Sequence, residues 1–109
     1  MMLKRAKLAC RAALKQSRAL CDAVPSAYRL WGTYEWLTGR PAAAEVWWKR
    51  SLAAAQRLSA RYDLGMAYLE MGQRLRRRAD VERAETIFAE LGAELDLVEA
   101  RRFLEPGCP

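Results

Sequence analysis

The chain has 109 residues, 52% of them apolar and 29% charged, with 19 basic and 13 acidic side chains and a formal net charge of +6. That size allows one domain with a single core, and the composition is that of an ordinary globular protein. No run of 18 uncharged apolar residues occurs, and the three scattered cysteines, Cys10, Cys21 and Cys108, make neither a disulfide framework nor a metal knuckle, so a reducing, cytoplasmic setting is expected.

The leading stretch holds all of the excess charge. Residues 1 to 20 contain Lys4, Arg5, Lys7, Arg11, Lys15 and Arg18 and no acid. Such a composition also occurs in organelle transit peptides. Leu3, Ala6, Cys10, Ala13, Leu14, Ser17 and Leu20, however, recur at helical spacing, which predicts a packed helix over Leu3 to Cys21 with a solvated basic side. Pro25 is expected to end it, because the residue before a proline is pushed out of the helical region.

Ser26 is then the expected N-cap of a second helix carrying Tyr28, Trp31, Gly32, Glu35 and Trp36. Gly39 suits a left-handed turn and Pro41 the first turn of a third helix, predicted to reach Leu58. Within it Trp47 and Trp48 are adjacent and cannot share a face. All four tryptophans read mainly as core, and Trp47 is the one to watch. A fourth helix is expected from Ser59 through Tyr62, Leu64, Gly65 and Tyr68 to a stop at Gly72. An inserted loop over residues 73 to 80 follows, then a fifth helix capped by Asp80 and ending at Gly92. A closing helix over 93 to 104 and a frayed tail over 105 to 109 complete the chain.

A repeat is visible in this order. Gly32 to Gly65 and Gly39 to Gly72 are each separated by 33 residues, whereas Ala44 to Ala84 and Trp48 to Phe88 are separated by 40. The second copy has therefore gained seven residues after Gly72. The expected fold class is all-α, an antiparallel array of helix-turn-helix repeats with five to six helices in one domain over 1 to 104. It comprises a leading helix (1 to 24), a first repeat (26 to 58), a second repeat (59 to 92) and the closing helix.

The spacing resembles the tetratricopeptide repeat, a helix-turn-helix unit of about 34 residues. The first copy matches with Tyr28, Trp31-Gly32, Gly39, Ala44 and Trp48. The second matches with Leu64-Gly65, Tyr68, Gly72, Ala84 and Phe88. Glu35 and Arg61 stand where that family has aromatics, and Gln56 stands where it has a closing proline. Tyr62 to Leu104, with Tyr62-Asp63-Leu64-Gly65, Glu70 to Leu75 and Ala84 to Ala93, is in turn similar to the closing repeats of large bacterial signalling ATPases fused to class III nucleotide cyclases or kinases. That resemblance implies the C-terminal end of a longer array, with the leading helix as the second helix of a preceding repeat.

No catalytic residue, cofactor or metal is assigned, and an enzyme is not expected. The chain has no histidine to serve as a base near neutral pH and no glycine-rich phosphate loop. The acid pairs Glu82 with Glu85 and Asp96 with Glu99 have the i, i+3 spacing of solvated helix faces. The function expected is a non-catalytic protein-interaction scaffold in a bacterial signalling or regulatory protein. Its partner is a protein, a peptide or a neighbouring domain, and Tyr28, Glu35, Arg61 and Tyr68 are candidate groove residues. An uncovered N-terminal helix edge would add self-association. The alternative is a basic nucleic-acid-binding module using Arg74, Arg76, Arg77 and Arg78.

Overall fold

A computed structural model describes residues 24–105. Five helices occupy them and no strand is present among them: α1 (Val24–Leu37), α2 (Pro41–Arg57), α3 (Arg61–Leu75), α4 (Arg78–Leu91) and α5 (Glu94–Leu104). Consecutive helices pack as antiparallel neighbours, α1 with α2 and α3 with α4 most closely. The all-α helical array expected from the sequence is the fold of these residues. The helix predicted over Leu3 to Cys21 and the tail beyond Glu105 lie outside the described residues.

All four connections use the same device, a single residue in the left-handed region. These are Gly39 (φ +81°), Ser59 (φ +55°), Arg76 (φ +57°) and Gly92 (φ +70°). At the two glycines the conformation carries no steric cost, whereas a side chain there meets the following carbonyl. Ser59 should therefore be a site of relief. Replacing it by glycine is expected to raise stability by a few tenths to about 1 kcal/mol, since glycine's larger unfolded-state entropy offsets part of the gain. The urea midpoint measures this, and an unchanged or lower midpoint would mean that Ser59 is not strained.

Three predicted boundaries move. Val24 and Pro25 are already helical, so Ser26 lies within α1 instead of capping it; proline is compatible with a first helical turn. Asp80 is the third residue of α4, whose N-cap is Arg77, and its carboxylate accepts from Arg83 at 2.8 Å. Gly72 does not stop α3, which continues to Leu75, and only Arg76 and Arg77 of the expected loop are non-helical.

The seven extra residues lengthen the second hairpin as helix. α1 ends five residues after Gly32, whereas α3 ends ten after Gly65; α2 begins seven residues before Trp48, whereas α4 begins ten before Phe88. Seven residues are about two turns at 3.6 per turn, so each helix grows by roughly one turn and the packed faces keep their rotation. A loop would have left seven residues of backbone to be solvated.

The glycines set how closely each pair approaches. A Cβ on Gly32 would lie 2.4 Å from Cδ1 of Trp48, one on Gly65 2.8 Å from Cε1 of Phe88, and one on Gly72 2.4 Å from Cγ2 of Val81. Around these contacts the core falls into connected groups. Ala44, Trp48 and Met71 pack with Trp36 and Leu75. Ala55, Leu64 and Ile87 join the hairpins. Leu69, Val81, Ala84 and Phe88 continue to Leu97 and Ala100 of α5. Trp48 is fully buried and donates its indole N–H to the Arg29 carbonyl at 3.2 Å. Ser51 is also buried and donates to the Pro25 carbonyl at 2.6 Å. No described helix is long and apolar enough to cross a membrane.

Candidate protein interface

The first helices of successive hairpins, α1, α3 and α5, follow one another along one side of the array and are joined by polar side chains. Thr33 of α1 donates to Glu70 of α3 at 3.2 Å, and Arg74 holds the same carboxylate oxygen at 2.8 Å. Tyr62 of α3 donates to Asp96 of α5 at 2.9 Å, and Gln73 donates to Glu99 at 3.4 Å. Thr33, Met66, Glu70 and Gln73 are half-buried along this row, neither in the core nor fully in solvent. The Asp96 carboxylate, as the acceptor of its hydrogen bond, pushes the Tyr62 phenol above its ordinary value, because ionising it would break that bond.

The four residues expected to line a groove face the other way. Tyr28 stacks on Trp47 of α2 at 5.8 Å between ring centres. Glu35 is buried; its Oε2 accepts no hydrogen bond among the described residues and lies 3.6 Å from the Arg40 guanidinium, just before α2. Arg61 pairs with Glu90 of α4 at 2.6 Å. Tyr68 is half-buried, with the Arg83 guanidinium of α4 over its ring at 5.7 Å.

The reason lies in their spacing. Tyr28 and Glu35 are four residues before and three after Gly32, and Arg61 and Tyr68 stand in the same relation to Gly65. Residues three and four apart share a helix face, and the glycine face is the one pressed against the second helix of each hairpin. On the α1/α3/α5 side Thr33, Met66, Glu70 and Gln73 carry no aromatic or glycine signal in the sequence, and Tyr62 reads there only as part of its helix. The usable signal is rotational: Thr33 and Met66 each follow a close-approach glycine by one residue, about 100° around the helix.

The arginine cluster is also committed. Arg74 holds Glu70. Arg77 bonds Glu45 of α2 at 2.9 Å and so ties the second hairpin's turn to the first hairpin. Arg78 donates to the Leu104 carbonyl at the end of α5 at 3.2 Å. The Arg77 hydrogen bond, helped by Lys49, holds the Glu45 carboxyl below its usual range, and the same contact raises Arg77. Arg76, the fourth member, is the left-handed residue that closes α3. The cluster thus serves helix ends and inter-hairpin contacts and does not form an open row of cations.

Trp47 behaves as its adjacency to Trp48 requires. It turns away from the core to meet Trp31 at 5.1 Å and Tyr28, with the Arg50 guanidinium 4.7 Å from its ring centre. A cleft of about 300 Å³ opens where α2 gives way to α3, lined by Ala55, Gln56, Ser59, Arg61 and Leu64, and none of these is an acid or a thiol. No group of His, Cys, Asp and Glu with metal-binding geometry occurs among the described residues. No family model, curated protein or solved structure matches the chain.

Proposed function

We propose that the chain is a non-catalytic protein-interaction scaffold of the tetratricopeptide-repeat kind, which binds a peptide or a neighbouring domain along the α1/α3/α5 side. The observation that carries this reading is the row of polar residues there, the half-buried Thr33, Glu70 and Gln73 and the exposed Tyr62. Each is oriented by a bond to an adjacent first helix and retains accessible polar surface. Side chains ordered before binding lose less entropy on association. Met66 between them offers an adaptable apolar contact.

The setting proposed is the cytoplasm of a bacterium, within a signalling or regulatory protein, supported by the resemblance of Tyr62 to Leu104 to the closing repeats of signalling ATPases. A native product larger than this chain in the source cells supports that setting, and a product of this chain's own mass counts against it.

To test the surface, the partner is captured on the immobilised chain, identified, purified and titrated by calorimetry. Gln73→Ala and Glu70→Ala are expected to weaken its binding at least about tenfold, the effect of losing one or two oriented hydrogen bonds, with the helical circular-dichroism spectrum unchanged and the chain still folded at the assay temperature. Arg61→Ala, on the opposite side of α3, is expected to leave binding intact. The reverse pattern would sink this assignment. A partner that proves to be nucleic acid, with affinity falling steeply in salt, would instead favour the reading based on the arginines. Their present bonds to Glu70, Glu45 and the Leu104 carbonyl speak against that reading.

A further inference from the structure

The described array ends on a face that its own helices leave uncovered. α5 packs against α4 through Leu97 and Ala100. On its outer side Leu95 is 89% exposed and Val98 47%, and Leu91, just before the α4–α5 turn, is 46% exposed. Leu95 and Val98 are three residues apart and share a helix face. Glu94 and Glu99 flank them, and Arg102 ends the stripe one turn on.

Charge separates along the chain as well. Asp80 to Glu105 hold eight acidic side chains against Arg83, Arg101 and Arg102, a local charge of −5, whereas residues 1 to 20 carry six basic side chains and no acid. Arg83 and Arg101 are already paired with Asp80 and Glu85, and among the described residues Glu94 and Glu105 carry no ion pair. The basic stretch also has an apolar stripe of its own, Leu3, Ala6, Cys10, Leu14 and Ser17, with Lys4, Lys7, Arg11, Lys15 and Arg18 running beside it.

We propose that the outer face of α5 is a self-association surface, and that its occupant is the basic segment of residues 1 to 20 of a second copy of this chain. Leu95 and Val98 meet the apolar stripe of that segment, and Glu94 and Glu99 meet its lysines and arginines. The two surfaces differ, so each contact is heterologous: reciprocal exchange between two copies closes a dimer, and otherwise the contact propagates into larger rings or open chains. Opposite charges at the two ends favour this register over face-to-face pairing of two acidic α5 surfaces, which repel.

Light scattering coupled to size exclusion on the full chain tests the idea. At low salt the mass is expected to rise with concentration to twice that of the monomer or beyond, and to fall toward the monomer in high salt. Leu95→Lys with Val98→Lys is expected to give a monomer with an unchanged helical circular-dichroism spectrum and melt, because both side chains are exposed. The discriminating arm is a charge exchange. Chains carrying Glu94→Lys and Glu99→Lys, and separate chains carrying Lys4→Glu, Lys7→Glu and Arg11→Glu, are each expected to be monomeric alone and to associate when mixed. A monomeric wild type, including one whose own basic segment covers α5, overturns the proposal. So does a dimer that ignores the charge reversals, or a mixture that stays monomeric.

Discussion

Replacing Gly72 by alanine is expected to destabilise the fold by about 2 kcal/mol or more, although the same change in an ordinary helix interior gains about 1 kcal/mol. The reversal comes from the neighbour. A Cβ at Gly72 would lie 2.4 Å from Cγ2 of Val81, 2.8 Å from its backbone nitrogen and 3.1 Å from the Arg77 carbonyl oxygen. A flexible side chain could move aside, but the Val81 and Arg77 backbone is held by the turn, where the Arg77 and Val81 N–H groups donate to the Gly72 and Arg77 carbonyls. Relief would require α3 and α4 to separate near their turn, opening the contact between Leu69, Val81 and Ala84. Urea unfolding measures the change. An alanine variant more stable than the wild type would show that the helices stand farther apart and that Gly72 is an unneeded cost. Gly32→Ala is expected to lose a similar amount, because the blocking atoms belong to a fully buried indole packed with Trp36, Ala44 and Met71.

The adjacent tryptophans give the other large contrast. Trp48→Ala is expected to cost about 3–5 kcal/mol, the range for removing a buried aromatic, and it also deletes the hydrogen bond to the Arg29 carbonyl. In a domain whose total stability is of order 5–15 kcal/mol, that is a large share of the whole. Trp47→Ala is expected to cost about 1–2 kcal/mol, from lost ring contacts with Tyr28 and Trp31 and the lost Arg50 stack. Thermal melts of the two variants side by side decide the matter. Equal losses would mean that the face bearing Trp47 is as much core as the face bearing Trp48.

Together these variants probe the two reasons a chain has for glycine. At Gly39 and Gly92 the reason is a positive φ, and open space surrounds both. At Gly32, Gly65 and Gly72 the reason is close approach of a second helix. The sequence pattern does not distinguish them: Gly72, 33 residues after Gly39, reads as a helix stop in the sequence. The true stop is Arg76, which takes the left-handed conformation with no glycine to mark it.

By itself the sequence determined that the chain is an array of antiparallel helices, where four of the five described helices begin and end to within a few residues, and that Trp48, Ala44, Leu64, Ala84 and Phe88 face inward. Those properties follow from local periodicity, turn chemistry and apolar spacing. Only the tertiary structure decided that the seven added residues lengthen two helices, that Glu35 is buried beside Arg40, and that the arginine cluster is spent on Glu45, Glu70 and the end of α5. It also decided which way the candidate interface looks. Helical spacing places Tyr28, Gly32 and Glu35 on one face, but which face meets the second helix is fixed by contact with Trp48, a partner sixteen residues away in the chain. Local pattern specifies a helix and its stripe, whereas the rotation of that stripe toward core or solvent depends on the neighbour it packs against.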